Sequence, residues 1–484
     1  MAISPDRRLA VGRQPLSSID FAWLRMDEPT NLMLINGVLT LGGPLAIERL
    51  RAVIVERLLP IERFPQRVVK APDGASRWEI SPDFDLDRHV FAVTLPDPGG
   101  DPELTEVVNP LLGEPLDPSR PLWEFRLIHN YQGGSVLMGR IHHAVGDGMA
   151  LMLVLLSLTD RHPDARTAVP YVDPAAVRQA VAAPPPGNPF TRIFQQAKPD
   201  IAGIRSEAEQ LMPEGMKLLL QPGEAFRSHR WLTALSSAFS FLRLVARWPD
   251  PKTVFKGPLG VAKKAAWSQP LRVADVKALG QAFGGSINDV LLTAMAGGLR
   301  RYLLGRGETA DRVSFRAAMP VNLRGLEEMA ALGNRFGLVF LSIPVGIADP
   351  IERLAELRRL SKKLRLSTEP VVVYGILRLL GKLPHFIQRL VVAIFATKTT
   401  AVMTNVPGPR EELFLAEVPI RDIFFWVPQS GRVGLGISIF SYNGHVRLEI
   451  GTDTGLVPDP EQIVLEFHHE FEDMQRLARE KSAG

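Results

Sequence analysis

The stretch that most restricts this fold is one that cannot itself build a core. From about residue 161 to 200 the sequence turns to proline, alanine and polar residues, with "APPPGNP" at 183–189. Prolines at that density remove backbone donors and interrupt helices and central strands alike. At 484 residues the chain is also long for a single hydrophobic core. The break therefore predicts a first lobe at 1–160, a connecting region with helical stretches at 161–255, and a second lobe at 256–484. Short β-type runs alternate with helical ones on both sides, so the expected fold class is α/β, two lobes joined by a long connection.

Local patterns give the elements. "LMLINGVLTLGG" (32–43) predicts a strand, and "AIERLRAVIVERLLP" (46–60) an amphipathic helix stopped by Pro60. "LWEFRLIHNYQGGSVLMGRIHH" (122–143) predicts two strands joined through Gly-Gly, a hairpin. "PEQIVLEFHHEFEDMQRLARE" (460–480) predicts a closing helix. The absence of cysteine excludes disulfides, thiolate zinc sites and cysteine nucleophiles. A net charge of +4 over this length gives no reason to expect a nucleic-acid partner. The first 20 residues hold no apolar secretory core, and no apolar run approaches the ~20 residues of a spanning helix. The expected location is cytoplasmic, with at most a peripheral hold on the inner membrane face or on lipid inclusions.

The chemistry concentrates in "GRIHHAVGDGMALMLVLLSL" (139–158). A strand pattern ends at His142 and His143, Gly146 and Gly148 permit a tight turn, and Asp147 stands where a helix N-cap belongs. Side chains at such a strand end can face a cleft. Spacing alone proves little, because His468, His469 and Asp473 repeat it within a charged, periodic helix, where a solvated face is expected. A metal is not expected, since no H-E-x-x-H or third ligand accompanies the pair. No G-x-S-x-G elbow supports a serine hydrolase. "GRGETA" (305–310) lacks the βαβ context of a dinucleotide site. Packing and acid/base chemistry remain for His142 and His143.

"HHAVGDG" matches the H-H-x-x-x-D-G motif of CoA-dependent acyltransferases, and the chain resembles the bacterial wax ester synthase/diacylglycerol acyltransferase family within them. The resemblance runs in order through "PLSSIDFAWLRMDEPTN" (15–31), "RPLWE" (120–124), "SINDVLLTA" (286–294), "MPVNLR" (319–324), "GNRFG" (333–337), "TNVPGP" (404–409) and "ISIFSYNG" (437–444). One departure is a short "PQSGRVGLGI" (428–437), which leaves acceptor preference open. The resemblance implies two chloramphenicol-acetyltransferase-like lobes, mixed sheets flanked by helices, with a channel between them. It implies transfer of a fatty acyl group from acyl-CoA to a fatty alcohol or diacylglycerol, with acyl-CoA as co-substrate and no cofactor or metal. Condensation-type transfer from carrier-bound acyl groups and non-catalytic lipid binding are the rival readings; the "SINDV" and "NVPGP" stretches and the His143/Asp147 pair weigh against them.

A neutral alcohol is a poor nucleophile, and a positioned general base is worth about 10²–10⁴-fold. His143 is the expected base. Asp147 would either hold its tautomer, as in a triad, or, as the superfamily implies, turn toward an arginine and fix the loop. His142 would shape the site or pack. Asn288 is the expected oxyanion donor, unless Asn288 and Asp289 only hold the turn before their helix. Trp123, Gly148, Asp289 and Asp27 are expected on the substrate side. Two amphipathic stretches, 231–248 and 371–395, suit a membrane interface or the protein's own core; Ser236, Ser240, Arg243 and Arg247 form a polar stripe on the first, and Pro384 breaks the second.

Overall fold

The computed structural model describes residues 13–72, 75–163, 248–311, 313–323, 333–365, 369–380, 384–429 and 433–483. The Pro-rich stretch beyond residue 163 and the amphipathic stretch up to residue 247 lie outside the described residues.

The first part of the chain supplies β1 (Arg13–Pro15), β2 (Leu34–Leu41), β3 (Gln66–Lys70), β4 (Ser76–Ile80), β5 (Val90–Thr94), β6 (Trp123–Tyr131) and β7 (Gly134–His142). The second supplies β8 (Lys263–Trp267), β9 (Leu271–Arg272), β10 (Phe315–Asn322), β11 (Phe336–Ile343) and β12 (Ala401–Pro407). It closes with β13 (Phe414–Leu415), β14 (Val418–Trp426), β15 (Leu435–Tyr442) and β16 (His445–Asp453).

These build a mixed α/β fold with two large sheets. One runs β13-β14-β2-β7-β6-β5, antiparallel except for the β5/β6 pair. The other runs β11-β10-β12-β15-β16-β8, with parallel pairs on both sides of β12, and β9 adds to β16. β1, β4 and β3 form a small antiparallel sheet. β14 comes from the second part of the chain yet pairs with β2, Phe424 opposite Val38 and Trp426 opposite Asn36. The two lobes therefore share a sheet.

β7 is buried on nearly every residue because β2 and β6 flank it and both faces are covered, which explains why Val136, Leu137 and Met138 follow one another without polar alternation. The 122–143 hairpin forms as predicted, though left-handed backbone already begins at Asn130 (φ 63°) and the pairing slips between His129 and Tyr131. The helix Ile47–Val53 continues as a wider turn over Ile54–Leu58. The closing helix spans Pro460–Ala483. The 371–395 stretch is two helices, Glu369–Leu380 and His385–Thr397, with Pro384 capping the second. No helix among the described residues is long and apolar enough to cross a membrane.

The two largest of four hydrophobic clusters among the described residues follow the sheets. The first joins Leu39, Phe125 and Leu137 to Val154 of the helix after the histidine turn. The second wraps the helix Ile287–Gly305, with Met295 and Leu299 against Ile437 and Phe467. Phe336, at the start of β11, belongs to the first core although it lies in the second part of the chain. That crossing brings the "GNRFG" segment to the histidine turn. Gly333 has φ 104°, a backbone open to glycine alone at low cost, and a Cβ on Gly337 would lie 2.0 Å from the Pro370 carbonyl oxygen.

Candidate active site

β7 ends at His142, and the chain turns at once. The His143 N–H donates to Met33 O (2.8 Å) and the Val145 N–H to His142 O (2.9 Å). Asp147 caps the helix Gly148–Ser157, its Oδ1 accepting the Ala150 N–H at 3.0 Å. Its Oδ2 accepts the backbone N–H of Arg335 at 3.1 Å, while its own N–H donates to Gly333 O at 3.3 Å. The aspartate thus clamps the turn to the "GNRFG" segment.

His143 is buried, and two aromatic rings pack against its own, themselves 5.8 Å apart. Trp23, from the helix Ser18–Met26, stacks on it at 4.1 Å with 15° between the planes, and Phe336 lies 5.5 Å away. Its Nδ1 is 2.8 Å from Asn334 Oδ1. The Asn334 Nδ2 donates to Asp20 Oδ1 (2.8 Å) and to the His143 carbonyl oxygen (2.7 Å). With both amide hydrogens directed at oxygens, Oδ1 must be the atom facing the imidazole, so Nδ1 carries the proton. Nε2 is left with its lone pair. Burial pushes the His143 pKa down to about 4, and the nearby Asp147 charge recovers only part of that fall. The ring is therefore neutral at physiological pH. Burial likewise raises the Asp20 pKa, opposed by its hydrogen bonds from Asn334 and Ser17 and by the charge of Arg63.

His142 is oriented by the turn itself: its Nδ1 accepts the Ala144 N–H at 3.0 Å. The remaining proton then sits on Nε2, which is buried, without a hydrogen bond, and 3.8 Å from Asp27 Oδ2. Asp27 also accepts the Met33 N–H at 2.7 Å, and Met33, just before β2, accepts the His143 N–H. Gly148 is exposed, and a Cβ there would meet nothing within 4 Å. Trp123 is buried in an aromatic cluster, its Nε1 donating to Phe64 O at 2.7 Å and its ring stacked on His89 at 4.5 Å. Asn288 is bound through its Oδ1 by the Asn405 amide of "TNVPGP". Asp289 caps its own helix, accepting from the Ser286 N–H (2.9 Å) and hydroxyl (2.7 Å). His469 and Asp473 lie on the closing helix, exposed and part-exposed, bonding Glu466 and Arg476 respectively, and His468 is half-buried beside Phe467.

The geometry brings His143, Asp147, His142, Asp27 and Gly148 together. It ties Asn288 to Asn405, and gives Trp123 and Asp289 packing and capping contacts. Three residues the motif reading passed over complete the site: Trp23, Asp20 and Asn334. All lie within quoted stretches, but nothing in an isolated Trp, Asp or Asn marks it as a neighbour of a histidine more than a hundred residues away. No group of three or more metal-ligating side chains occurs among the described residues.

The model of the wax ester synthase/diacylglycerol acyltransferase catalytic domain matches residues 16–291, and that of the family's C-terminal domain matches 332–475. A putative diacylglycerol O-acyltransferase of Mycobacterium tuberculosis is 28% identical over 466 residues, covering 92% of this chain and 86% of its own. A probable diacylglycerol O-acyltransferase of the same organism is 25% identical, with 93% of each chain covered. The solved wax ester synthase/diacylglycerol acyltransferase from Marinobacter aquaeolei VT8 superposes with a TM-score of 0.67 at 19% identity, over 96% of this chain and 99% of its own. The first condensation domain of the calcium-dependent antibiotic synthetase gives 0.57 at 14% identity, over 96% of each chain.

Proposed function

The chain belongs to the wax ester synthase/diacylglycerol acyltransferase family and is an acyltransferase; on that premise we propose that it moves a fatty acyl group from acyl-CoA to the hydroxyl of a fatty alcohol or diacylglycerol, with His143 as general base. The observation that carries the base assignment is the fixed ring of His143: Nδ1–H committed to Asn334, Nε2 unprotonated.

Nε2 takes the hydroxyl proton as the alcohol oxygen attacks the thioester carbon. The tetrahedral intermediate collapses with cleavage of the C–S bond. The imidazolium returns its proton to the departing thiolate, so ester and CoA thiol are the products. Asn288 donates from Nδ2 to the developing oxyanion; the bond from Asn405 occupies its carbonyl oxygen and supports that orientation. Asp147 acts as a clamp on the turn, and His142 with Asp27 shapes the acceptor side. The low pKa keeps the neutral form populated throughout the neutral range, at a cost in basicity.

Lipid substrates reach the protein from a lipid phase. The helix His385–Thr397 exposes Phe386 (71%), Leu390 (59%) and Ile394 (42%) at intervals of four, one apolar row beside the exposed Arg389. That row supports peripheral contact with a membrane or lipid droplet.

The test of the reaction is CoA release from palmitoyl-CoA with hexadecanol, a diacylglycerol or no acceptor, followed with a thiol dye to which the cysteine-free chain contributes nothing. Acceptor-dependent release that His143→Ala reduces by about 10²-fold or more is expected. Equal rates in the two proteins would overturn the assignment of His143; no release with any acceptor would overturn acyl-CoA as donor.

A further inference from the structure

We infer that Asp20 and Asn334 are the positioning residues of His143, forming a carboxylate–amide–imidazole chain in the place a triad would give to one aspartate. The inference rests on the reading of His143 as general base and adds the groups that make it one.

The observations are geometric. Asp147, four residues from His143, spends both carboxylate oxygens on backbone N–H groups, of Ala150 and Arg335. The Nδ1 of His143 instead meets Asn334, and Asn334 is turned the right way round only because Asp20 and the His143 carbonyl oxygen both take its amide hydrogens. All three side chains are buried: Asp20 3% exposed, Asn334 7% and His143 7%. An Asn334 flipped by 180° would set its oxygen against both the Asp20 carboxylate and the His143 carbonyl oxygen, two losses at once in a medium where unpaired polar groups are costly. The flip is thereby excluded, and with it the Nε2-protonated tautomer that cannot act as a base toward the acceptor. Two parts of the chain cooperate, since Asp20 and His143 come from the first lobe and Asn334 from the second.

The charged and titratable groups around the chain are few. Asp147 and His142 face His143, and Arg63 faces Asp20. An amide rather than a carboxylate against Nδ1–H orients the ring without adding a full negative charge beside it. That arrangement fits a base whose pKa remains low after burial.

Exchange of the two groups tests the chain. Asp20→Asn loosens it, leaving only a neutral amide oxygen to fix Asn334, and Asn334→Asp breaks it by setting two carboxylates against each other. Asn334→Asp is expected to lower kcat by about ten- to a hundred-fold and Asp20→Asn by less, while KM for acyl-CoA changes by less than about threefold in both. The double variant Asp20→Asn/Asn334→Asp restores the donor–acceptor sequence from residue 20 to the ring, with the carboxylate now directly on Nδ1–H and only the bond to the His143 carbonyl oxygen lost. It is expected to recover most of the lost kcat and to move the acid limb of the kcat–pH profile upward by about one unit or more. A residue that merely fills space would move neither the limb nor the recovery, so a double variant no better than the singles, with an unmoved limb, would overturn the inference.

A readout independent of turnover separates this inference from the acyltransfer reading. In ¹⁵N-histidine NMR of the full chain, the His143 signal, assigned by its loss in His143→Gln, is expected to show Nδ1 protonated and Nε2 bare. Asn334→Ala is expected to mix the tautomers. An Nε2-protonated His143 in the wild-type protein would overturn the positioning role, whatever the substrate proves to be. The Nδ1–H form without any activity toward acyl-CoA would support the chain and refute the reaction.

Discussion

Removing Trp23 gives the sharpest test of why His143 titrates where it does. The ring is pushed from its ordinary value of 6.5 to about 4, and the largest cause is burial. A fall of that size corresponds to about 3 kcal/mol by which the site disfavours the imidazolium. Trp23 supplies one whole face of the cover, stacked at 4.1 Å, while Phe336 is tilted and farther off. Trp23→Ala admits water to that face and should return about one to two units of pKa. Since the neutral form is the base, activity falls as pH drops through the His143 pKa. The acid limb of kcat/KM should therefore lie near about 4 in the wild type and about one to two units higher in Trp23→Ala. Trp23→Phe, which keeps an aromatic face, should leave it near the wild-type position. The assay is the initial rate of CoA release between about pH 3.5 and 8, with aliquots quenched and the thiol developed at alkaline pH. Trp→Ala in a core costs about 3–5 kcal/mol, so rates belong well below the melting temperature, with a circular dichroism check at each pH. A wild-type limb near 6.5, or one that Trp23→Ala does not move, would refute the reasoning.

Two further outcomes rest on other parts of the molecule. Glu449 of β16 is fully buried with neither carboxyl oxygen hydrogen-bonded, and burial raises its pKa well above the ordinary carboxylate value. The unfolded chain releases that proton at ordinary carboxylate pH while the folded one keeps it, so stability falls as pH rises above that range. Glu449→Gln should raise Tm at pH 8 and lose its advantage in acid; a variant no more stable at pH 8 would refute this. Replacing Phe386, Leu390 and Ile394 together by Ser should lower co-sedimentation with phospholipid vesicles by on the order of tenfold or more. Unchanged sedimentation would remove that face as the lipid contact.

The elements nearest the site were legible because each is written locally. Glycines around "HHAVGD", an aspartate at an N-cap and an apolar run after it give strand, turn and helix, and the structure has them at His142, Asp147 and Gly148–Ser157. "SIND" likewise reads as a capped helix start, and Ser286 and Asp289 form that cap. What the sequence does not write locally is the crossing of β14 into the first sheet and of Asn334 onto His143, 191 residues apart. Spacing within the motif leaves Asp147 either serving His143 as in a triad or fixing the loop as a helix cap, and the loop-fixing role is the one its contacts show. The helix and the "GNRFG" segment claim its oxygens first, for backbone N–H groups near a helix start are strong and otherwise orphaned donors. Trp123 shows the converse: its motif is local, yet its contacts are those of a core aromatic with a satisfied indole N–H.

The division of the site between two parts of the chain bears on a problem that acyl transfer shares with hydrolysis. A thioester and an activated base invite water as readily as alcohol, so the base must be dry before the acceptor arrives. Here the cover and the orientation of His143 come from the same contacts. Phe336 packs beside the ring and lies two residues from Asn334, which fixes its tautomer; Trp23 covers one face and lies three residues from Asp20, which fixes Asn334. The two pairs sit on separate segments, one before the histidine turn in sequence and one after it. Neither segment alone both dries the imidazole and holds its proton on Nδ1. Asp147, clamped to Gly333 and Arg335, couples the turn to the later segment. Loss of that docking would expose the ring and free its tautomer together, so a partly opened enzyme would also be one whose base is misaligned for attack on the thioester.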